Sequence, residues 1–366
     1  MNLLKMIFLC ILFSLLSSQA FSLPRYALRL SDSCIDCHYN PTGGLIRNES
    51  GWHFGKNILS LISPRDKDFT MTPKIGDNIS FGLDYRTQIL YSEEKKKSDF
   101  QQMTGSIYLN VALSKKINIL SRYDFVQQIW EAYGVAHILP NNGYIKAGSF
   151  QPNYGIRTDD HTAYTRGGDF FLLFTNGARQ GLIYNPFYTE AGMEAGIYIN
   201  DWAFLTASAG SNLSANRTLT KDPTYTTRLE FNPAIGKVGL LFGGSYAATK
   251  LPRTTNFYGG FAGIGYESFS VIAEFDRAND LLSPDTESNL LMVETAYLII
   301  IGLEAYARYD WLDPDINVAN DEIAHLILGF EFMPYSFIEI RPQYRFVIED
   351  PQIANNSFVI QFHFWY

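Results

Sequence analysis

The feature that most constrains this chain is a period of two sustained over long segments. Ile79, Phe81, Leu83, Tyr85, Thr87, Ile89 and Tyr91 fall on one face of an extended backbone, and Ser80, Gly82, Asp84, Arg86 and Gln88 on the other. Leu303, Ala305, Ala307, Tyr309 and Trp311 alternate in the same way with Gly302, Glu304, Tyr306, Arg308 and Asp310. So do Ile338, Ile340, Tyr344, Phe346 and Ile348 with Glu339, Arg341, Gln343 and Arg345. The chain closes on Phe358, Ile360, Phe362, Phe364 and Tyr366 at the same spacing. Strands of about ten residues, apolar on one face and charged on the other, match a transmembrane β-barrel; a soluble sandwich uses shorter strands.

The pattern marks strand candidates at 78–92, 101–114, 116–128, 129–138, 141–149, 179–186, 189–200, 202–210, 224–233, 236–248, 255–267, 268–276, 290–300, 301–311, 322–333, 335–348 and 355–366. That is one more than an even number, and single-chain bacterial barrels have even strand counts. The fold class expected is therefore all-β, a transmembrane antiparallel β-barrel of about 16 strands spanning 78–366. Tight connections such as Gly302, Met333-Pro334-Tyr335 and Asn200-Asp201 are expected on the periplasmic side, and the longer polar loops outside. The irregular stretch 148–166, which opens Gly148-Ser-Phe-Gln-Pro-Asn-Tyr-Gly155, is similar to porin segments that fold inward and narrow the pore. Arg157, Asp159, Asp160, His161 and Arg166 would then line the lumen; the alternative is an exposed loop, since long loops are common on such barrels.

Composition bears on location. Hydrophobic residues make up 46% of the chain, yet after the N-terminus no apolar run is long enough for a membrane-spanning helix, so a helical membrane protein is excluded. Aromatics reach 15%, as interfacial girdles require, with Tyr85, Tyr91, Tyr306, Tyr309, Trp311, Phe364, Trp365 and Tyr366 as candidates. Residues 1–22 read as a secretory signal peptide, with Lys5 before an apolar run at Met6–Leu16 and small residues at Ala20 and Ser22. Cys10 would leave with it. Losing Lys5 leaves 28 basic against 37 acidic residues, a formal charge of 28 − 37 = −9, which argues against nucleic-acid partners.

Residues 23–77 carry a second signature. Cys34-Ile-Asp-Cys37-His38 has the Cys-x-x-Cys-His spacing of c-type haem attachment. The two thiols would form thioethers to one haem c, and His38 would ligate the iron. The alternative is a Cys34–Cys37 disulfide, which has no need of the adjacent histidine. His53 is the nearest histidine for the sixth iron position; Met71, Met103 and His161 are further options, as is an open site. Asn40-Pro41 and Gly43-Gly44 mark a sharp turn after the motif. About 55 residues bury little surface by themselves, so the segment is expected to insert into the barrel as a plug.

Pro24-Arg-Tyr-Ala-Leu-Arg29, then Cys34-x-x-Cys-His38, Asn40-Pro41 and Gly51-x-x-Phe-Gly55, followed by a barrel with an aromatic last strand, resembles the fused monohaem cytochrome–porins of the bacterial outer membrane. The residue match is confined to about 24–55. The resemblance implies electron transfer between an extracellular redox partner, with iron as a candidate, and a periplasmic cytochrome. The Asn-Pro-Thr-Gly-Gly continuation and the chain's modest length depart from the iron-oxidising members, which puts iron(II) in question as the donor. The competing class is a solute-transport porin with a structural haem or a disulfide in its plug. Its selectivity would come from Arg86, Arg228, Glu230, Arg308, Arg341 and Arg345. No distal Arg/His pair for a peroxidase and no Ser/His pair for a barrel hydrolase is assigned.

Overall fold

The computed structural model describes residues 24–30, 33–64, 72–158, 160, 162–168, 181–212, 223–250, 254–281 and 283–366. The expected signal peptide, Met71, Asp159 and His161 lie outside the described residues. Sixteen long strands form the barrel: β1 Ile79–Ser92, β2 Lys97–Ser114, β3 Ile117–Asp124, β4 Ile129–Ala136, β5 Tyr144–Phe150, β6 Glu190–Asn200, β7 Ala203–Asn212, β8 Thr224–Phe231, β9 Val238–Lys250, β10 Thr254–Tyr266, β11 Phe269–Asn279, β12 Glu287–Ile300, β13 Leu303–Asp313, β14 Ile323–Tyr335, β15 Ile338–Glu349 and β16 Ser357–Trp365. Two-residue strands at Lys74–Ile75 and Ala234–Ile235 flank it. Each long strand pairs antiparallel with its sequence neighbour, and β16 closes on β1 from Ser357↔Ser92 to Trp365↔Asp84. Closure leaves no unpaired sheet edge, which a lipid environment would not tolerate.

The alternation read from the sequence becomes the two faces of the wall. Leu83, Ile107, Phe242, Phe275, Leu328 and Phe364 are exposed on the outside, while Gln88, Glu274, Arg308, His325 and Glu331 are buried inside. An apolar exterior around a polar interior is the transmembrane-barrel arrangement; in water such a surface would associate. Among the described residues no helix is long and apolar enough to cross a membrane.

One strand candidate is corrected. Residues 181–186 are irregular, not a strand, and β5 pairs directly with β6 through Phe150↔Glu190. The backbone of this segment bonds inward: Gly181 N–H donates to Gly167 O at 2.9 Å and Leu182 N–H to Tyr164 O at 2.8 Å. Leu182 and Tyr184 belong to an apolar cluster with Tyr154, Tyr164, Phe257, Leu312 and Ile323 inside the wall. Its alternation mimics a strand because one side of it packs on the lumen wall.

Two aromatic assignments are corrected as well. Tyr306 faces the lumen, where its hydroxyl donates to Gln343 at 3.3 Å. Trp365 is also inward, 5.1 Å from Phe337 between ring centres.

The stretch 148–166 folds inward. Tyr154 and Ile156 are buried, the Tyr154 hydroxyl donates to Asp276, and Arg166 pairs with Glu274 at 2.7 Å. A 3-10 turn, Tyr164–Arg166, is fully buried. The wall arginines expected to set selectivity are each ion-paired: Arg86 with Asp84, Arg228 with Glu230, Arg308 with Asp310 and Asp160, Arg341 with Glu331 and Glu339, and Arg345 with Asp160.

Candidate functional site

The N-terminal segment enters the lumen from the end with the tight turns. Helix α1, Pro24–Leu30, places Arg25 and Arg29 four residues apart and so on one face. Arg25 meets Glu294, Glu304 and Glu331 on three successive strands, with 3.1 Å contacts to the first two. Arg29 grips Glu304 through both nitrogens at 2.6 and 3.0 Å. Such buried charges hold only as a set; removing one partner costs about 3–5 kcal/mol. Leu28 packs with Ile156 and Met292, so the plug meets the inward segment inside the barrel.

The cysteine motif follows as a 3-10 turn, Cys34–Asp36, capped by Ser33, whose hydroxyl and N–H both donate to the Asp36 carboxylate. The His38 N–H donates to Cys34 O at 3.0 Å. The chain then reverses: Gly43 N–H donates to Asn40 O at 2.9 Å and the Asn40 amide to Gly43 O. Gly43 and Gly44 hold φ of +78° and +73°, which favour glycine, so the Asn-Pro-Thr-Gly-Gly stretch is the expected turn. The returning arm puts Arg47 opposite His38, and Asn48 N–H donates to Cys37 O at 2.9 Å.

Asn48 caps α2, Glu49–Asn57, accepting from Gly51 N–H at 3.0 Å, while its own amide donates to the carbonyls of Ile35 and Asp36. The two glycines of the Gly51-x-x-Phe-Gly55 motif are contact points. A Cβ at Gly51 would lie 2.9 Å from Cys37 Cβ and closer still to the Cys37 carbonyl oxygen. One at Gly55 would overlap the Trp365 ring. Trp52 packs on Phe337 and Tyr366, and Leu61 N–H donates to Met333 O, which seats α2 across the tight-turn mouth.

Between plug and inward segment lies a cavity of about 250 Å³. Cys34, His38, Arg47, Met103 and Arg157 line it. Of the residues marked in the sequence, the structure therefore brings Cys34, His38 and Met103 together. Cys37 is buried beneath Gly51 and is not part of the lining. His53 is exposed on the outer side of α2, away from the cavity. No disulfide joins Cys34 and Cys37. Burial, reinforced by the charges of Arg47 and Arg157, pushes the His38 imidazole down to about 3, against hydrogen bonding to the backbone of Ile46 and Gly44, which acts the other way. His38 is thus a neutral imidazole at physiological pH, the form that ligates a metal.

No family model matches the chain, and no curated protein matches its sequence. Solved structures do match in fold. OprB of Pseudomonas putida superposes with a TM-score of 0.62 at 10% identity, covering 86% of this chain and 100% of that one. The outer-membrane channel DcaP of Acinetobacter baumannii gives 0.53 at 12% identity, with 79% and 97% coverage. Salmonella typhi OmpF, solved in complex with daunomycin, gives 0.55 at 12% identity, with 80% and 98% coverage. The chain thus has the fold of outer-membrane porins, with its outer face to lipid.

The residues present fit a covalent haem in part. His38 Nδ1 is sealed from solvent and makes no hydrogen bond, an orphan that an external partner would relieve. Gly43 leaves room beside the Cys34 sulfur, which a Cβ there would approach to 3.2 Å. Cys37 is reached only if α2 lifts from it. Arg157 lines the lumen cavity as expected; the anchoring role of Arg25 and Arg29 and the place of Arg47 in the cavity were not marked in the sequence. The four-residue spacing within Pro24–Arg29 was the one signal available for the first pair.

Proposed function

We propose that this porin-fold barrel carries one covalent haem c in its plug and transfers electrons across the outer membrane. The observation that supports this reading is the Cys34–His38 pair on one lumen cavity, with a neutral His38 whose Nδ1 is buried and unpartnered. Cys34 and Cys37 would hold the haem and His38 its iron; Met103, on the same cavity, is better placed than His53 as a second protein ligand. When bound, the group supplies one-electron redox chemistry. The chain's own residues do the rest. Arg25 and Arg29 fix the plug to the wall, and Gly51 and Gly55 let α2 seat against Cys37 and Trp365. If the tight turns face the periplasm, as the loop lengths suggest, the plug is presented to a periplasmic cytochrome. The redox partner outside, iron or another, would act from the long-loop side.

The fold likeness to OprB, DcaP and OmpF favours a second reading, a solute channel. One preparation separates them. The chain is expressed with haem maturation, outer membranes are isolated, and a denaturing gel is stained for haem peroxidase activity. A stained band that disappears in Cys34→Ser/Cys37→Ser is expected. An unstained wild-type band, together with a steady ionic current in planar bilayers, would overturn the haem reading in favour of the channel.

A further inference from the structure

We propose that Arg47 and Arg157 form a carboxylate-binding pole of the plug cavity. The other carboxylates and guanidinium groups lining this cavity are ion-paired: Arg86 with Asp84, Arg122 with Glu131, Arg166 with Glu274, Arg341 with Glu331, and Asp160 with Arg345. Among the described residues neither Arg47 nor Arg157 has a carboxylate within ion-pair distance; Asp84, which is paired with Arg86, acts on Arg47 only from further off. Arg157 is instead oriented by neutral acceptors, donating through Nη1 to Gly43 O at 3.1 Å and through Nη2 to Gln151 O at 3.0 Å. Its Nε is buried without a partner. Arg47 lies over the Trp365 ring at 4.1 Å, a contact that fixes the guanidinium plane while leaving its N–H edges free for a ligand.

Two guanidinium groups held in one cavity without an ion pair of their own are costly, and a carboxylate is the group their planar forks match. Both sit beside the cysteine turn. Arg47 stands opposite His38 in the small hairpin, and Arg157 packs over Gly44. Two sources present the same chemistry: the propionates of a haem, in which case the assignment rests on the haem reading, or a free carboxylate entering from the lumen.

The test uses the full chain in detergent, prepared without haem maturation, with heat-modifiable gel mobility to show that each variant is folded. Three probes are titrated: ferric haem, its dimethyl ester, and succinate. Wild type is expected to bind the free-acid haem at least tenfold more tightly than the diester. Arg47→Gln/Arg157→Gln should reduce that preference below twofold, and Arg157→Lys should retain most of it. Equal binding of acid and ester by wild type, or an unchanged preference in the double Gln variant, overturns the assignment. If neither porphyrin binds, the haem reading fails by itself. Succinate binding that is lost in the double variant then still supports the carboxylate site, and no succinate binding overturns it.

Discussion

Replacing Gly51 by alanine tests how the plug is closed. The new Cβ would sit 2.9 Å from Cys37 Cβ, 3.0 Å from the Cys37 carbonyl carbon and closer to its oxygen, where ordinary contact begins near 3.4 Å. These are backbone and Cβ atoms, which no rotamer change can move aside, so α2 must shift. Overpacking of this kind costs about 1–3 kcal/mol. Alanine in place of glycine returns about 1 kcal/mol of helix propensity. From the upper half of that range, the net loss of seating energy is about 1–2 kcal/mol, or roughly 5–30-fold in the open population. Cys37 is 1% exposed and reports that opening directly. In a Cys34→Ser background without haem, maleimide labelling of Cys37 should accelerate roughly 5–30-fold when opening is fast relative to reaction. Gly260→Ala is the control, since nothing lies within 4 Å of its Cβ position. A Gly51→Ala labelling rate no faster than the control's would refute the reasoning.

Arg25→Ala would leave Glu294, Glu304 and Glu331 facing one another without their shared cation, a loss of about 3–5 kcal/mol. Limited proteolysis should then cut the 33–64 segment in the folded barrel, and a resistant segment would show that α1 is not the anchor. Arg166→Ala breaks the 2.7 Å pair with Glu274 that holds the inward segment, and single-channel conductance in planar bilayers should rise above wild type. For the haem-free chain the folded His38 pKa of about 3 lies below its unfolded value of about 6.5, so the fold disfavours protonation. Plug seating is unaffected above pH 6.5 and weakens as pH falls from there toward 3, by up to about 2 kcal/mol at pH 5. Trp52 emission should report this loss, and His38→Gln should abolish that part of the pH dependence.

Most of the barrel was legible because an alternating strand carries its own instruction. A residue's parity decides whether it meets lipid or lumen, and that holds for Arg308, His325 and Phe330 without knowledge of their neighbours. The rule failed at residues 181–186, where apolar side chains alternate against an inner wall the sequence does not display. Trp365 was misplaced by its aromatic character and not by parity, which sets it opposite Phe364 on the lumen face, where its ring meets Gly55. The Cys-x-x-Cys-His motif was legible as a spacing but not as geometry. Adjacency within Cys34–His38 says nothing of which side chains share a cavity, and the structure puts Met103 there while leaving His53 on an exposed helix face.

By itself the sequence determined what local periodicity and short-range turn chemistry can encode: an antiparallel barrel of about sixteen strands, and a reversal at Asn40–Gly44 after the cysteine motif. Only the tertiary structure decided how the two lumen segments meet, which carboxylates anchor Arg25 and Arg29, and which arginines lack an ion pair of their own. Arg25 reaches Glu331 across 306 residues of chain. Pairings at that separation depend on barrel closure and register, and no local pattern carries them.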